Sequence, residues 1–403
     1  MSSIKVDEAR KIILEKIQSQ GTEKVSINEA LGRILSEDII ARRNNPPMDN
    51  SAMDGYALIA KDVELATPEN PIKLDIIEDL AAGYSPEMTI QSGQAVRIMT
   101  GAPIPEGADA VVMQEDTERN GNSVQVKDKA EVRENIRDAG EDVREGETVI
   151  RKGVDLMPAH IGMMAVVGRS TALVGRRPRV AVISTGDEVM DLDEPLSGPC
   201  IYNSNGYMLA AQIKSAGGIP SYLGIARDNE KDLMEKFKWA LQCDMVVSSG
   251  GVSVGDYDLV KTSLEKMGQE MLFWKVAMKP GKPLAFGRID DVPIFGLPGN
   301  PVSSFVSFEQ FVRPSIRKMM GATQLNHKSV QAKLTRTVHK KAGRQHFLSA
   351  YVNWEDGECT VRPTQEQGSG ILKSTVNANG LLIFPLELTE MTEGTEVTVQ
   401  LLY

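Results

Sequence analysis

Residues 179–188 read RVAVISTGDE and residues 244–251 read DMVVSSGG. In each, a short β-branched apolar run stops abruptly in hydroxyl, glycine or acidic residues, as a buried strand does when it delivers a polar loop. Between 179 and 320 this rhythm of strand, loop and helix repeats, which predicts a mainly parallel sheet with helices on both faces. Strands are expected at 179–184, 219–223, 244–248, 271–278 and 292–295, and helices near 204–216, 229–241 and 260–267. Gly217 and Gly218 are placed to end the first helix.

Outward from this core the texture changes. Residues 5–20 set Val6, Ala9, Ile12, Ile13 and Ile17 on one helical face, and Ser26 with Glu29 reads as a capping box opening a second short helix. From about 44 to 142, short apolar runs alternate with Gly, Pro and Asn clusters, the pattern of a β-rich module. Residues 146–174 include a helix-like stretch at 161–167 that returns the chain toward its N-terminal helices, and the sequence beyond 321 alternates as a small β domain. The expected division is 1–45 with 143–174 as a discontinuous helical domain, 46–142 as a β-rich domain, 175–325 as the α/β domain, and 326–403 as a barrel-like β domain.

Composition narrows the partners. Forty-five basic against 55 acidic residues give a net charge of −10, and no basic run or RNA-type aromatic motif offsets the repulsion from a phosphate backbone, so nucleic acid is not an expected partner. No run approaches the ~18–20 apolar residues of a membrane span. Cys200, Cys243 and Cys359 are widely spaced and odd in number, without a zinc-ligand pattern. The expected location is the reducing cytoplasm, with no membrane partner.

In open parallel sheets, ligands bind at the carboxyl ends of the strands. Five loops follow expected strands: Ser184-Thr185-Gly186-Asp187-Glu188, Ala226-Arg227-Asp228, the run 249–258, Lys279-Pro280-Gly281-Lys282-Pro283, and Leu297-Pro298-Gly299-Asn300-Pro301. Gly250 and Gly251 allow close backbone approach to a phosphate, with Ser248, Ser249 and Ser253 supplying hydroxyls; a tight turn is the plainer reading of the pair. Asp187, Glu188, Asp228, Asp256 and Asp258 offer the hard oxygens that Mg²⁺ requires, although an Asp at a helix start often only caps it. Lys275, Lys279 and Lys282 lie on or after one strand, where ammonium groups can neutralise an oxyanion; on a straight strand Lys275 and Lys279 share a side. Pro298 and Pro301 make a rigid wall for a flat heterocycle. The histidines, His160, His327, His339 and His346, fall outside these loops, and no GxSxG, Walker A or GxGxxG signature occurs, which disfavours triad, P-loop and dinucleotide chemistry.

Several motifs in order resemble the molybdopterin molybdenumtransferase (MoeA and gephyrin E-domain) family over essentially the full length: DNSAMDGYA (49–57), RIMTGA (97–102), GED (140–142), STGDE (184–188), GGVSVG (250–255), Lys275 with KPGKP (279–283), and LPGNPVS (297–303). The resemblance implies a four-domain homodimer whose active site is shared between subunits. One subunit supplies Glu188, Asp228, Asp258, Lys275 and Lys279; the other supplies Asp54, Thr100 and Asp142. It further implies that Ser184, Thr185, Gly186, Gly250, Gly251, Ser253, Lys282, Pro298, Gly299 and Pro301 bind substrate, with Arg344 and Ser369 reaching from the final domain. Asp187, Glu188, Asp228 and Asp258 are the implied Mg²⁺ ligands. The implied substrates are molybdate and adenylylated molybdopterin, with a molybdopterin adenylyltransferase as upstream partner. Two other functions fit parts of this reading: adenylyl transfer from ATP, which would not need 46–142, and a scaffold that binds molybdopterin without turnover; tungstate in place of molybdate fits the sequence equally.

Overall fold

The computed structural model describes residues 3–251 and 259–402, and structural statements refer to these. They form two compact units: 1–37, 152–157 and 171–403 make the larger, and 38–151 with 158–170 the smaller.

The larger unit is built on a six-stranded sheet. Its strands in chain order are β1 (Arg179–Thr185), β2 (Ile219–Ala226), β3 (Met245–Ser249), β4 (Glu270–Lys275), β5 (Pro283–Ile289) and β6 (Val292–Leu297). Their spatial order is β2-β1-β3-β6-β5-β4, parallel from β2 through β6, with β5 antiparallel to both β6 and β4. The period-2 alternation of β1 sorts its side chains: Val180 and Val182 join Leu209, Ile213 and Phe295 on one face, while Ala181 and Ile183 join Leu233, Phe237 and Val246 on the other. Helices α1 (Ser204–Ser215), α2 (Glu230–Ala240) and α3 (Leu259–Lys266) make the crossovers. Asn203 caps α1 by accepting from the Gly206 N–H, Asn229 caps α2 by accepting from Asp232, and Gly217, at φ +97°, follows the end of α1.

Strand β5 is absent from the sequence expectation, which ran one strand through 271–278. The chain instead breaks at Lys275, turns, and returns as β5, because the Val276 N–H bonds to the Lys282 carbonyl and closes the reversal. The fragment Met278–Lys279 leaves the sheet and pairs with Gln345–His346 of the C-terminal region. The expected capping-box helix is a single 3₁₀ turn, Ile27–Glu29, with the Ser26 hydroxyl accepting from Asn28.

After β6 the chain continues through α4 (Pro301–Ser307), a π turn (Phe308–Val312) and α5 (Arg313–Met319). The N-terminal helix Val6–Lys16 buries Val6, Ala9 and Ile13, and Arg10 donates to the Gln310 side chain at 3.0 Å. The C-terminal strands close a barrel. Gln345–Glu355 pairs along its first half with Gly380–Phe384 and along its second with Glu358–Pro363, while Ser329–Leu334 and Glu396–Leu401 complete the ring.

The smaller unit holds a mixed sheet in the order Ala110–Met113, Gly55–Leu58, Gln94–Ile98, Ile72–Leu80, Ser123–Val126, Thr117–Asn120. Gly55 has no room for a side chain, since a Cβ there would meet the Val112 carbonyl oxygen at 2.0 Å.

Candidate active site

The ends of β1, β3 and β6 and the start of α1 enclose a cavity of 870 Å³. At the end of β1, the buried Ser184 hydroxyl donates to Asn203 Oδ1 at 2.8 Å. Gly186 follows at φ +134°, with the Glu188 carboxylate lying 2.6 Å from where a Cβ would stand. Strand β3 delivers Gly250 at φ +95° and Gly251 at φ +63°; a Cβ on Gly250 would come within 2.7 Å of both the Thr185 carbonyl oxygen and its hydroxyl. Only glycine fits this geometry without strain. The Gly250 N–H is held by the Leu297 carbonyl at 3.0 Å, which brings the Pro298-Gly299 wall alongside.

Eleven of the residues expected from the sequence line this cavity: Ser184, Thr185, Gly186, Glu188, Asp228, Ser249, Gly250, Gly251, Pro298, Gly299 and Pro301. Asp187 sits beside the others, because its Oδ1 accepts the Asp228 N–H at 3.1 Å. Burial pushes the Asp228 carboxyl above its usual range; a main-chain bond from Asp187 opposes this, and the charges of Asp187 and Glu188 add to it. Arg227 braces the loop by donating to the Val189 carbonyl at 3.1 Å. Ser253, Asp256 and Asp258 lie outside the described residues.

Lys275, Lys279, Lys282, Arg344 and Ser369 do not line the cavity. Lys275 and Lys282 border it all the same, since Pro283, which pairs with Lys275 and follows Lys282, does line the cavity; Asp228 follows β2, at the opposite edge of the sheet from β4, five strand spacings of ~4.8 Å away. The break at Lys275 also removes the straight strand on which Lys275 and Lys279 were expected to share a side. Lys279 gathers instead with Arg344, Lys340 and His346: burial first, and then the charges of the three cations, hold the His346 imidazole down to about 4. Ser369 approaches the cavity wall from the barrel, its hydroxyl accepting from Asn300 Nδ2 at 3.2 Å and its carbonyl from the Val302 N–H at 3.0 Å.

Asp54, Thr100 and Asp142 belong to the smaller unit. Asp54 precedes the strand Gly55–Leu58 and Thr100 follows the strand Gln94–Ile98, and the antiparallel register Gly55 to Ile98 brings them together. Main-chain and hydroxyl bonds from Thr100 hold the Asp54 carboxyl below its usual range. Asp142 Oδ2 accepts from Asn45 at 2.8 Å.

Three structural participants escaped the sequence reading. Asn203 was detectable in principle, as a polar residue before an apolar helix. Asn205 and His346 carry no local signal; tertiary pairing alone gives them their surroundings.

A doubly wound sheet with a glycine-lined cavity at its strand ends defines a class of α/β protein that binds its ligand where the strands end. Comparison with known proteins is specific. Residues 4–168 match the MoeA N-terminal region (domain I and II), 181–318 the probable molybdopterin binding domain, and 331–402 the MoeA C-terminal region (domain IV). The chain is 38% identical to molybdopterin molybdenumtransferase 2 of Mycobacterium tuberculosis over 400 residues, covering 98% of each. It is also 38% identical to the molybdopterin molybdenumtransferase of Haemophilus influenzae over 403 residues, again 98% of each. A crystal structure of the molybdopterin biosynthesis moeA protein of Pyrococcus horikoshii superposes with a TM-score of 0.86 at 34% identity, covering 99% of this chain and all of that one. The chain belongs to the molybdopterin molybdenumtransferase (MoeA) family.

Proposed function

We propose that this protein is a transferase of molybdenum cofactor biosynthesis that inserts molybdenum from molybdate into adenylylated molybdopterin and releases AMP. The carrying observation is the cavity at the ends of β1, β3 and β6, with its glycine floor, proline wall and carboxylate mouth, in a chain that matches the family along its length. A flat pterin fits against Pro298, Gly299 and Pro301. The Gly250-Gly251 backbone allows its phosphate to approach without a side chain in the way.

Among the described residues no group of three or more His, Cys, Asp or Glu side chains is placed to hold a metal ion. The donor set nevertheless fits Mg²⁺, which is commonly held by one or two carboxylates together with substrate phosphates. One or two of Asp187, Glu188 and Asp228 would hold it, joined in our reading by Asp258. When bound there, Mg²⁺ offsets charge on the phosphoanhydride. Lys275 and Lys279, with Arg344 and Ser369 from the barrel, hold the molybdate oxyanion at the other end of an extended substrate, a span consistent with the separation of β2 and β4. Asp54, Thr100 and Asp142 act on the site of the partner subunit in a homodimer of four-domain chains. The enzyme works in the cytoplasm and receives its substrate from a molybdopterin adenylyltransferase.

The test is incubation of purified protein with adenylylated molybdopterin, Mg²⁺ and molybdate, with AMP measured over time and ATP supplied in a separate arm. AMP release that requires molybdate is the expected result. Consumption of ATP with free molybdopterin would make it an adenylyltransferase, and tight ligand binding without turnover would make it a scaffold.

A further inference from the structure

Helix α1 carries, in its first turn, a residue with no assigned role. Asn205 Nδ2 donates to the Ser249 hydroxyl at 2.8 Å and to the Gly299 carbonyl at 2.7 Å. Ser249 is the last residue of β3 and Gly299 lies in the loop after β6, so one side chain joins three segments that wall the cavity. The Ser249 hydroxyl contacts the Pro298 carbonyl in turn, at 3.5 Å. These bonds begin where the strand ladder stops: the β3–β6 register ends at Ser249 with Leu297, and the Gly250 N–H to the Leu297 carbonyl is the main-chain bond beyond it.

The amide has a single sensible orientation, because turning it would set Oδ1 against the Gly299 carbonyl oxygen. In that orientation Oδ1 is buried and has no hydrogen-bond partner among the described residues. A side chain kept for stability alone is normally satisfied at both ends. The helix has supports of its own, being capped by Asn203 and anchored in the core by Leu209 and Ile213. What it stands beside is a spacing: a Cβ built on Gly299 would lie 3.7 Å from Gly250 Cα, an ordinary van der Waals distance, so the room of a methyl group separates the glycine floor from the proline wall there.

We infer that Asn205 is a positioning residue that sets the width of the slot between the Gly250-Gly251 floor and the Pro298-Gly299 wall, and thereby the grip on the flat, phosphorylated end of the substrate. This rests on the proposed pterin-binding role of the cavity. Asn205→Asp is nearly isosteric, removes both donors and places a carboxylate oxygen against the Gly299 carbonyl; Asn205→Ala removes the strut; Asn205→Gln keeps the donors on a longer arm.

The test uses the full-length protein and two readouts. Hydrogen exchange followed by mass spectrometry should show faster exchange, by about tenfold or more, in peptides covering 248–251 and 297–300 for the Asp and Ala variants, with β1 and the barrel unchanged. Steady-state AMP release should show KM for adenylylated molybdopterin raised about tenfold or more, a smaller effect on kcat, and partial recovery in Asn205→Gln, as expected when positioning rather than chemistry is disturbed. Unchanged exchange in these loops overturns the inference, as does wild-type KM in both variants. Exchange raised throughout the sheet with a large fall in Tm overturns it too, making Asn205 a plain stability residue. If the wild-type protein releases no AMP, the proposed function falls, and the exchange readout still judges the strut by itself.

Discussion

Thr100 donates two hydrogen bonds to a single oxygen of Asp54, one from its main-chain N–H at 2.7 Å and one from its hydroxyl at 2.8 Å. Both bonds favour the ionised carboxylate, and they hold its titration below the ordinary range. Asp54 is therefore charged throughout neutral and mildly acidic pH. A Thr100→Val variant keeps the main-chain bond and loses the hydroxyl, so an NMR pH titration of Asp54 should move upward, toward the unfolded value. Asp54→Asn should abolish AMP release without unfolding the smaller unit, and retained turnover would remove Asp54 from the site.

Asp228 stands with the opposite bias, crowded by burial and by the charges of Asp187 and Glu188. Such crowding is characteristic of groups retained for a bound ligand rather than for stability. Asp228→Asn should reduce AMP release by about 100-fold or more while Tm stays level or rises, because a like charge has been removed. Wild-type turnover by this variant would contradict its place in the Mg²⁺ and phosphate region.

Gly250 tests the cavity floor. At φ +95°, with Thr185 main-chain and hydroxyl oxygens at 2.7 Å from an added Cβ, Gly250→Ala combines backbone strain with a clash against a rigid strand end. The expected loss is about 1–3 kcal/mol in urea unfolding, with weakened pterin binding. Gly121→Ala makes the comparison: its φ is also positive, at +64°, but nothing stands within 4 Å, so it should carry the backbone term without the clash.

His346 provides a pH dependence with a definite sign. Its folded value is held at about 4 against 6.5 in the unfolded chain, so the unfolded state binds the extra proton between these limits. Stability from this group is complete above about pH 6.5 and is lost as pH falls toward 4. In His346→Gln the slope of Tm against pH across that window should flatten. An unchanged slope would show that the imidazole is not held neutral among Lys279, Lys340 and Arg344.

Much of the architecture was legible locally. The alternation of Val180 and Val182 against Ala181 and Ile183 announces a strand covered on both faces, the Gly250-Gly251 pair announces a backbone that must approach something closely, and the ordered motifs point to the family. These are matters of side-chain periodicity and steric allowance, which residues within a few positions of one another decide. The sequence by itself also placed the polar loops at one edge of the sheet, since strands of one direction must end together.

The tertiary structure alone decided how far apart those loops stand and what each meets. Strand order carries β4 to the far edge from β2, the reversal at Lys275 creates β5, and pairing with Gln345–His346 draws Lys279 into a cationic group beside the barrel. Asn205 reaches Ser249 and Gly299, 44 and 94 positions away, through contacts that no local pattern encodes. Such relationships arise from long-range hydrogen bonding and burial, whose free energy depends on which distant segments come to lie side by side.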